Sequence, residues 1–149
     1  MKLALLNEGE YQKRYRQIQE LYLLDADNDL KVHYSEMILN EYGTIFQVFP
    51  PPKKSNKMKS GKCYPNAIKK MTEKGYQYVE GIITNKVNGQ KISHAWNIDL
   101  EGKHIDFTVT NPDLYEYRGV IVPKDILFEV GMKNGFIWYC SLPYLLIEG

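Results

Sequence analysis

Three short motifs carry residue types that could do chemistry together: Gly61-Lys62-Cys63-Tyr64-Pro65-Asn66-Ala67, then His94-Ala95-Trp96, then Ile105-Asp106-Phe107-Thr108. A thiol, an imidazole and a carboxylate fit a nucleophile, its base and the acid that orients the base. Cys63 stands at the expected start of a helix, since Pro65 suits a first turn and Gly75 a stop. The N–H groups and the positive dipole end at such a start favour a thiolate and can hold a developing oxyanion. His94 would take the thiol proton and later return it to the leaving group.

The strands that must position His94 and Asp106 allow a geometric test. Leu100-Glu101-Gly102 makes a three-residue hairpin loop, with Gly102 as the left-handed residue of a bulge. That turn pairs Asp99 with Lys103, and therefore Trp96 with Asp106. Side chains alternate along a strand, so His94 and Trp96 share a face and Asp106 lies diagonally from His94 on it. Diagonal neighbours stand about 7 Å apart at the backbone, within reach of a carboxylate–imidazole hydrogen bond. Asp99 projects from the opposite face and is the poorer acid. A zinc site from Cys63, His94, His104 and Asp106 lacks a close ligand pair, so no metal or other cofactor is expected. Candidate substrate contacts are Tyr64 and Asn66 beside the thiol, Trp96 as a cleft wall, and Glu80 in mid-strand. The plainer alternatives are a core Trp96 and a solvent-facing Glu80.

These motifs resemble the papain-like and transglutaminase-like cysteine hydrolase superfamily, in which a Gly-x-Cys helix start precedes a His-x-Trp strand and an Asp-x-Thr strand. The resemblance spans about residues 60–123. It matches Cys63 to the nucleophile, His94 to the base and Asp106 to the orienting acid. It implies an α+β fold, in which a Cys-bearing helix packs against an antiparallel sheet that carries His and Asp. Tyr78-Val79-Glu80-Gly81 and Tyr117-Arg118-Gly119-Val120 look similar to small phage and bacterial members. Pro65, Asn66 and Phe107 depart from the common pattern. No glutamine precedes Cys63 to complete an oxyanion hole of the papain kind, which leaves the second donor unassigned.

Around the motifs, apolar periodicity predicts a helix over 10–24, with Tyr11, Tyr15, Ile18 and Tyr22 at helical spacing. A loop is expected over 25–29, a short helix over 35–42 and a strand over 44–49. The helix carrying Cys63 should cover 64–74. Strands are expected over 76–84, 91–99 and 103–110, with Asn88-Gly89 turning the first hairpin. A strand over 119–122, a helix over 123–131 and a closing strand over 136–147 complete the reading. One domain is expected: a helical extension over 1–52, a Lys-rich loop over 53–62 and a catalytic-type core over 63–149.

The net charge is +1, but residues 53–74 hold eight Lys against Glu73 alone. This basic stretch surrounds the candidate nucleophile and suits a solvated loop, a lid or a contact with an acidic partner. Only Tyr64 interleaves an aromatic ring with those lysines, which argues against nucleic acid. Two cysteines, Cys63 and Cys140, make neither a disulfide framework nor a metal cluster, so free thiols in the cytoplasm are the simplest reading. The apolar run Met1–Leu6 is too short for a signal peptide, and no stretch is long enough to cross a membrane. The expected function is a thiol-dependent peptidase, amidase or deamidase acting on a protein or peptide-like amide through a thioester. The alternative is a catalytically idle binding protein of the same fold, such as a phage host-interaction factor that uses residues 53–74.

Overall fold

Among the described residues (2–23, 28–53, 58–59, 61–133, 141–142 and 145–148), the computed structural model has an α+β fold. Its amino-terminal part comprises β1 (Lys2–Leu5), α1 (Glu8–Leu23), α2 (Asn28–Tyr42), β2 (Thr44–Phe46) and β3 (Val48–Phe49). There follow α3 (Cys63–Lys74), β4 (Gln77–Asn85), β5 (Lys91–Ile98) and β6 (His104–Ile105). A 3-10 turn at Pro112–Leu114, then β7 (Tyr115–Val122), α4 (Lys124–Lys133) and β8 (Leu145–Glu148) complete the order.

The main sheet runs β2-β7-β4-β5-β6-β3 and is mostly antiparallel. Its two edges, β2 and β3, are neighbours in sequence, separated by Gln47 alone. Residues 44–49 therefore bridge β7 on one side and β6 on the other, and the sheet curls into a nearly closed barrel. A separate two-stranded sheet pairs β1 with β8.

Alternation gives each strand an inner and an outer face. Val79 and Ile83 on β4, Trp96 and Ile98 on β5, Val48 and Tyr117 turn inward and form the barrel core. Tyr78, Ile82, Ala95, Val120 and Val122 turn outward against helical residues such as Leu39, Ala67, Met71 and Leu127. Burying each large apolar side chain contributes roughly 1.5–3 kcal/mol, so the two faces together anchor the sheet. Trp96 fits because the facing residue is Gly119, where an added Cβ would stand 2.6 Å from the indole Cη2. Gly81, paired with Gly119, likewise has no room for a Cβ against the Arg118 carbonyl.

The helix expected over 64–74 begins one residue earlier, at Cys63, and stops at Gly75 in the left-handed region, φ 73°. Leu100-Glu101-Gly102 forms the expected turn: Asp99 N–H donates to Lys103 O at 2.9 Å, and Asn97 pairs with Ile105. The strand expected over 103–110 covers only His104–Ile105. At Asp106 the backbone N–H turns to Phe49 O (3.0 Å), and the Asp106 carboxylate accepts the N–H groups of Thr108 and Val109. The strand expected over 119–122 starts at Tyr115 instead. Residues 1–52 do more than extend a core, since they supply β2, β3 and the buried Tyr11, Val32 and Leu39. Of the closing strand expected over 136–147, residues 136–140 and 143–144, with Cys140, lie outside the described residues, and Leu145–Glu148 is a strand. Among the described residues, no helix is long and apolar enough to cross a membrane.

Candidate active site

The hairpin register places His94 and Asp106 on one inward face, and their side chains meet. His94 Nε2 stands 2.7 Å from Asp106 Oδ2, with both side chains buried. Tyr117, reaching across from β7, donates its phenol to the same oxygen at 2.6 Å. Asp106 Oδ1 accepts the N–H groups of Thr108 (2.8 Å) and Val109 (3.0 Å). The carboxylate therefore has four donors, which is what a buried anion requires.

The electrostatics follow from that enclosure. Burial pushes the His94 imidazole down, but the charge and hydrogen bond of Asp106, with Cys63 on the ring as well, outweigh it and raise its pKa to about 10. Burial also opposes ionisation of Asp106, yet His94, Tyr117 and the Val109 N–H hold its carboxyl below the usual range. Tyr117 is pushed well above its ordinary value by burial and by the neighbouring Asp106, so it remains a donor.

Cys63 and His94 share a cleft because β6 is short. β5 has a β6 partner only at Asn97 and Ile98, and toward His94 the space beside it opens into a cleft. Helix α3 lies across the outer face of β5, tied by Asn97 Nδ2 donating to Ala67 O at 2.9 Å, and its first residue reaches the cleft. With Nε2 on Asp106, the other ring nitrogen, Nδ1, is the one left for the Cys63 side chain, which lines the same cleft and helps to raise the His94 pKa. Lys62, at the helix cap position, makes no side-chain capping bond to the first-turn N–H groups. The cleft holds about 500 Å³ between β5 and the segment Thr108–Asn111.

The four candidate substrate contacts sit elsewhere. Trp96 is in the barrel core, with Nε1 donating to His104 Nδ1 at 2.9 Å and its ring edge-on to Tyr117. Tyr64 is buried among the outward-facing core residues. Asn66 is buried and donates to Thr108 Oγ1 (2.9 Å) and to Lys59 O (2.9 Å), clamping α3 to the Asp106 turn. Glu80 is fully buried rather than solvent-facing, and accepts from Ser141 N–H (2.6 Å) and Ser141 Oγ. None of these four lines the cleft with Cys63. Asp99 accepts the N–H groups of Glu101 and Lys103, both at 2.9 Å, and so caps the hairpin turn.

Sequence reasoning missed Tyr117 and the cleft wall, which includes Ile83, Ile92, Val109, Leu114 and Tyr115. Tyr117 could have been found once β7 was read as starting at Tyr115, because Tyr117 pairs with the inward-facing Ile83. Of the basic stretch, Lys53, Lys59, Lys62, Lys69 and Lys74 are exposed, whereas Lys70 covers the Phe107 ring at 4.5 Å. Met58 N–H donates to Phe107 O, which fastens the end of the Lys-rich loop beside the site. Comparison with protein-family models, with curated proteins and with solved structures finds no match to this chain.

Proposed function

We propose that the chain is a thiol-dependent hydrolase that cleaves an amide bond through a thioester on Cys63, built on a papain-like or transglutaminase-like core. The observation that carries this reading is His94, hydrogen-bonded to Asp106, in the wall of a cleft that Cys63 also lines. An imidazolium is the counter-ion a thiolate needs, and Asp106, bonded to Nε2, leaves Nδ1 to serve the sulfur. The thiolate adds to the substrate carbonyl carbon, forming an S–C bond, and His94 gives its proton to the leaving nitrogen as the C–N bond breaks. Water then adds to the thioester, His94 takes its proton, and the S–C bond breaks to release the acid. The N–H groups at the α3 start are the first candidates to hold the oxyanion. The Thr108 hydroxyl, whose oxygen accepts from Asn66, keeps its own proton to donate toward the cleft it lines.

Iodoacetamide labelling at about pH 6 tests the nucleophile. Cys63 should be alkylated much faster than Cys140, and His94→Ala should slow the reaction. Equal, slow alkylation of both thiols would leave the second reading, a non-catalytic binding protein. That reading is favoured by the exposed Lys59 and Lys62 around the start of α3, which suit an acidic partner.

A further inference from the structure

The wall of the cleft restricts which acyl group Cys63 can receive. Four aliphatic side chains, Ile83, Ile92, Val109 and Leu114, line it together with the Tyr115 ring. Thr110 and Asn111 add neutral hydrogen-bonding groups. Among the described lining residues there is no Lys, Arg, Asp or Glu, in a chain where these types make up 25%. The His94 charge is already balanced by Asp106 behind it. An ionic substrate group entering here would lose hydration without gaining a counter-charge. A volume of about 500 Å³ is in the range of sites that enclose a small ligand.

We propose, resting on the hydrolase reading, that this cleft selects an uncharged, mainly aliphatic acyl group and rejects acyl groups that carry a carboxylate. With an activated ester the Cys63 thiolate adds to the carbonyl carbon, the S–C bond forms, and the aryl oxygen leaves with the bonding pair as a phenolate. Hydrolysis of the thioester by water regenerates the thiolate and releases the free acid.

The test compares 4-nitrophenyl hexanoate with the mono-4-nitrophenyl ester of glutaric acid, each rate divided by that of the same ester with free N-acetylcysteine. Phenolate release gives the rate, and intact mass locates the acyl group. The hexanoyl ester should acylate Cys63 at least about tenfold faster, the usual scale of discrimination by an apolar pocket. Leu114 is 45% exposed, so Leu114→Arg places a cation at the wall without burying it, and should shift the ratio toward the glutaryl ester. Asn111→Lys, at another exposed lining position, should act in the same direction. A glutaryl rate equal to or above the hexanoyl rate, or ratios unmoved by both variants, would overturn the selectivity while leaving the hydrolase reading intact. If neither ester acylates the wild type faster than Cys63→Ala, the hydrolase reading fails and the selectivity falls with it.

Discussion

The Tyr117 phenol and the His94 imidazole share a single oxygen, Asp106 Oδ2, at 2.6 Å and 2.7 Å. The acid that orients the base is thus held by a strand two away from His94 in the sheet. Tyr117→Phe keeps the ring that packs on Trp96 and removes only this donor. Hydrogen bonds to charged groups contribute about 1.5–3 kcal/mol, so urea denaturation should show a loss of that order. A variant as stable as the wild type would mean that the phenol adds nothing to the pair.

Asp106→Asn should fold yet turn over substrate roughly 10²–10⁴-fold more slowly, because the amide can fix the wrong imidazole tautomer. Asp106→Ala strips both Oδ1 and Oδ2 from four donors, and should also lose stability, by about 3–5 kcal/mol. Asp99→Asn is the control: Asp99 caps a turn, so activity should persist. Loss of turnover in Asp99→Asn with retention in Asp106→Asn would reassign the acid.

The pH dependence of stability has a definite sign. The pKa of His94 is raised, so its contribution is fully present below the unfolded value of 6.5 and is lost as pH climbs through about 10. That of Asp106 is lowered from 3.8, so its contribution is present above that value and is lost as pH falls through the folded one. The stability advantage of the wild type over His94→Gln should therefore be widest at about pH 4–6.5 and narrow toward pH 10. Urea midpoints measured across that span check it; an advantage that grew with pH would mean His94 folds uncharged.

Neutralising Lys53, Lys54, Lys57 and Lys59 should weaken binding of an acidic partner, with an effect that fades at high salt. Binding titrations at two ionic strengths are the measurement. Identical affinities and salt responses would make the stretch a solvated loop.

The register between β5 and β6 was legible because Gly102 in a three-residue loop fixes it locally: Asn97 meets Ile105, as the turn demands. The length of β6 was not. Phe107, Thr108 and Val109 favour a strand, but the Asp106 carboxylate competes for the Thr108 and Val109 N–H groups. Tyr117 was hidden for another reason, since its meeting with Asp106 depends on the curl of the whole sheet. The same applies to Lys2–Leu5, an apolar run whose strand character comes from pairing with Leu145–Glu148. Asn66 and Glu80 were recognised as unusual, but only burial reveals that each fastens chain segments together.

The stretch 44–49 has a consequence for how the protein opens. Because Thr44–Phe46 pairs with β7 and Val48–Phe49 with β6, detaching these few residues would release both seams of the barrel in one event. Amides of β6 and β7 bonded to this stretch, remote from one another in sequence, would then exchange with deuterium through a common opening and at a common free energy. Phe49 O also accepts the Asp106 N–H, so that same fluctuation would loosen the anchor of the acid that orients His94. Slow breathing of the barrel and loss of order at the thiol's partner would be one motion.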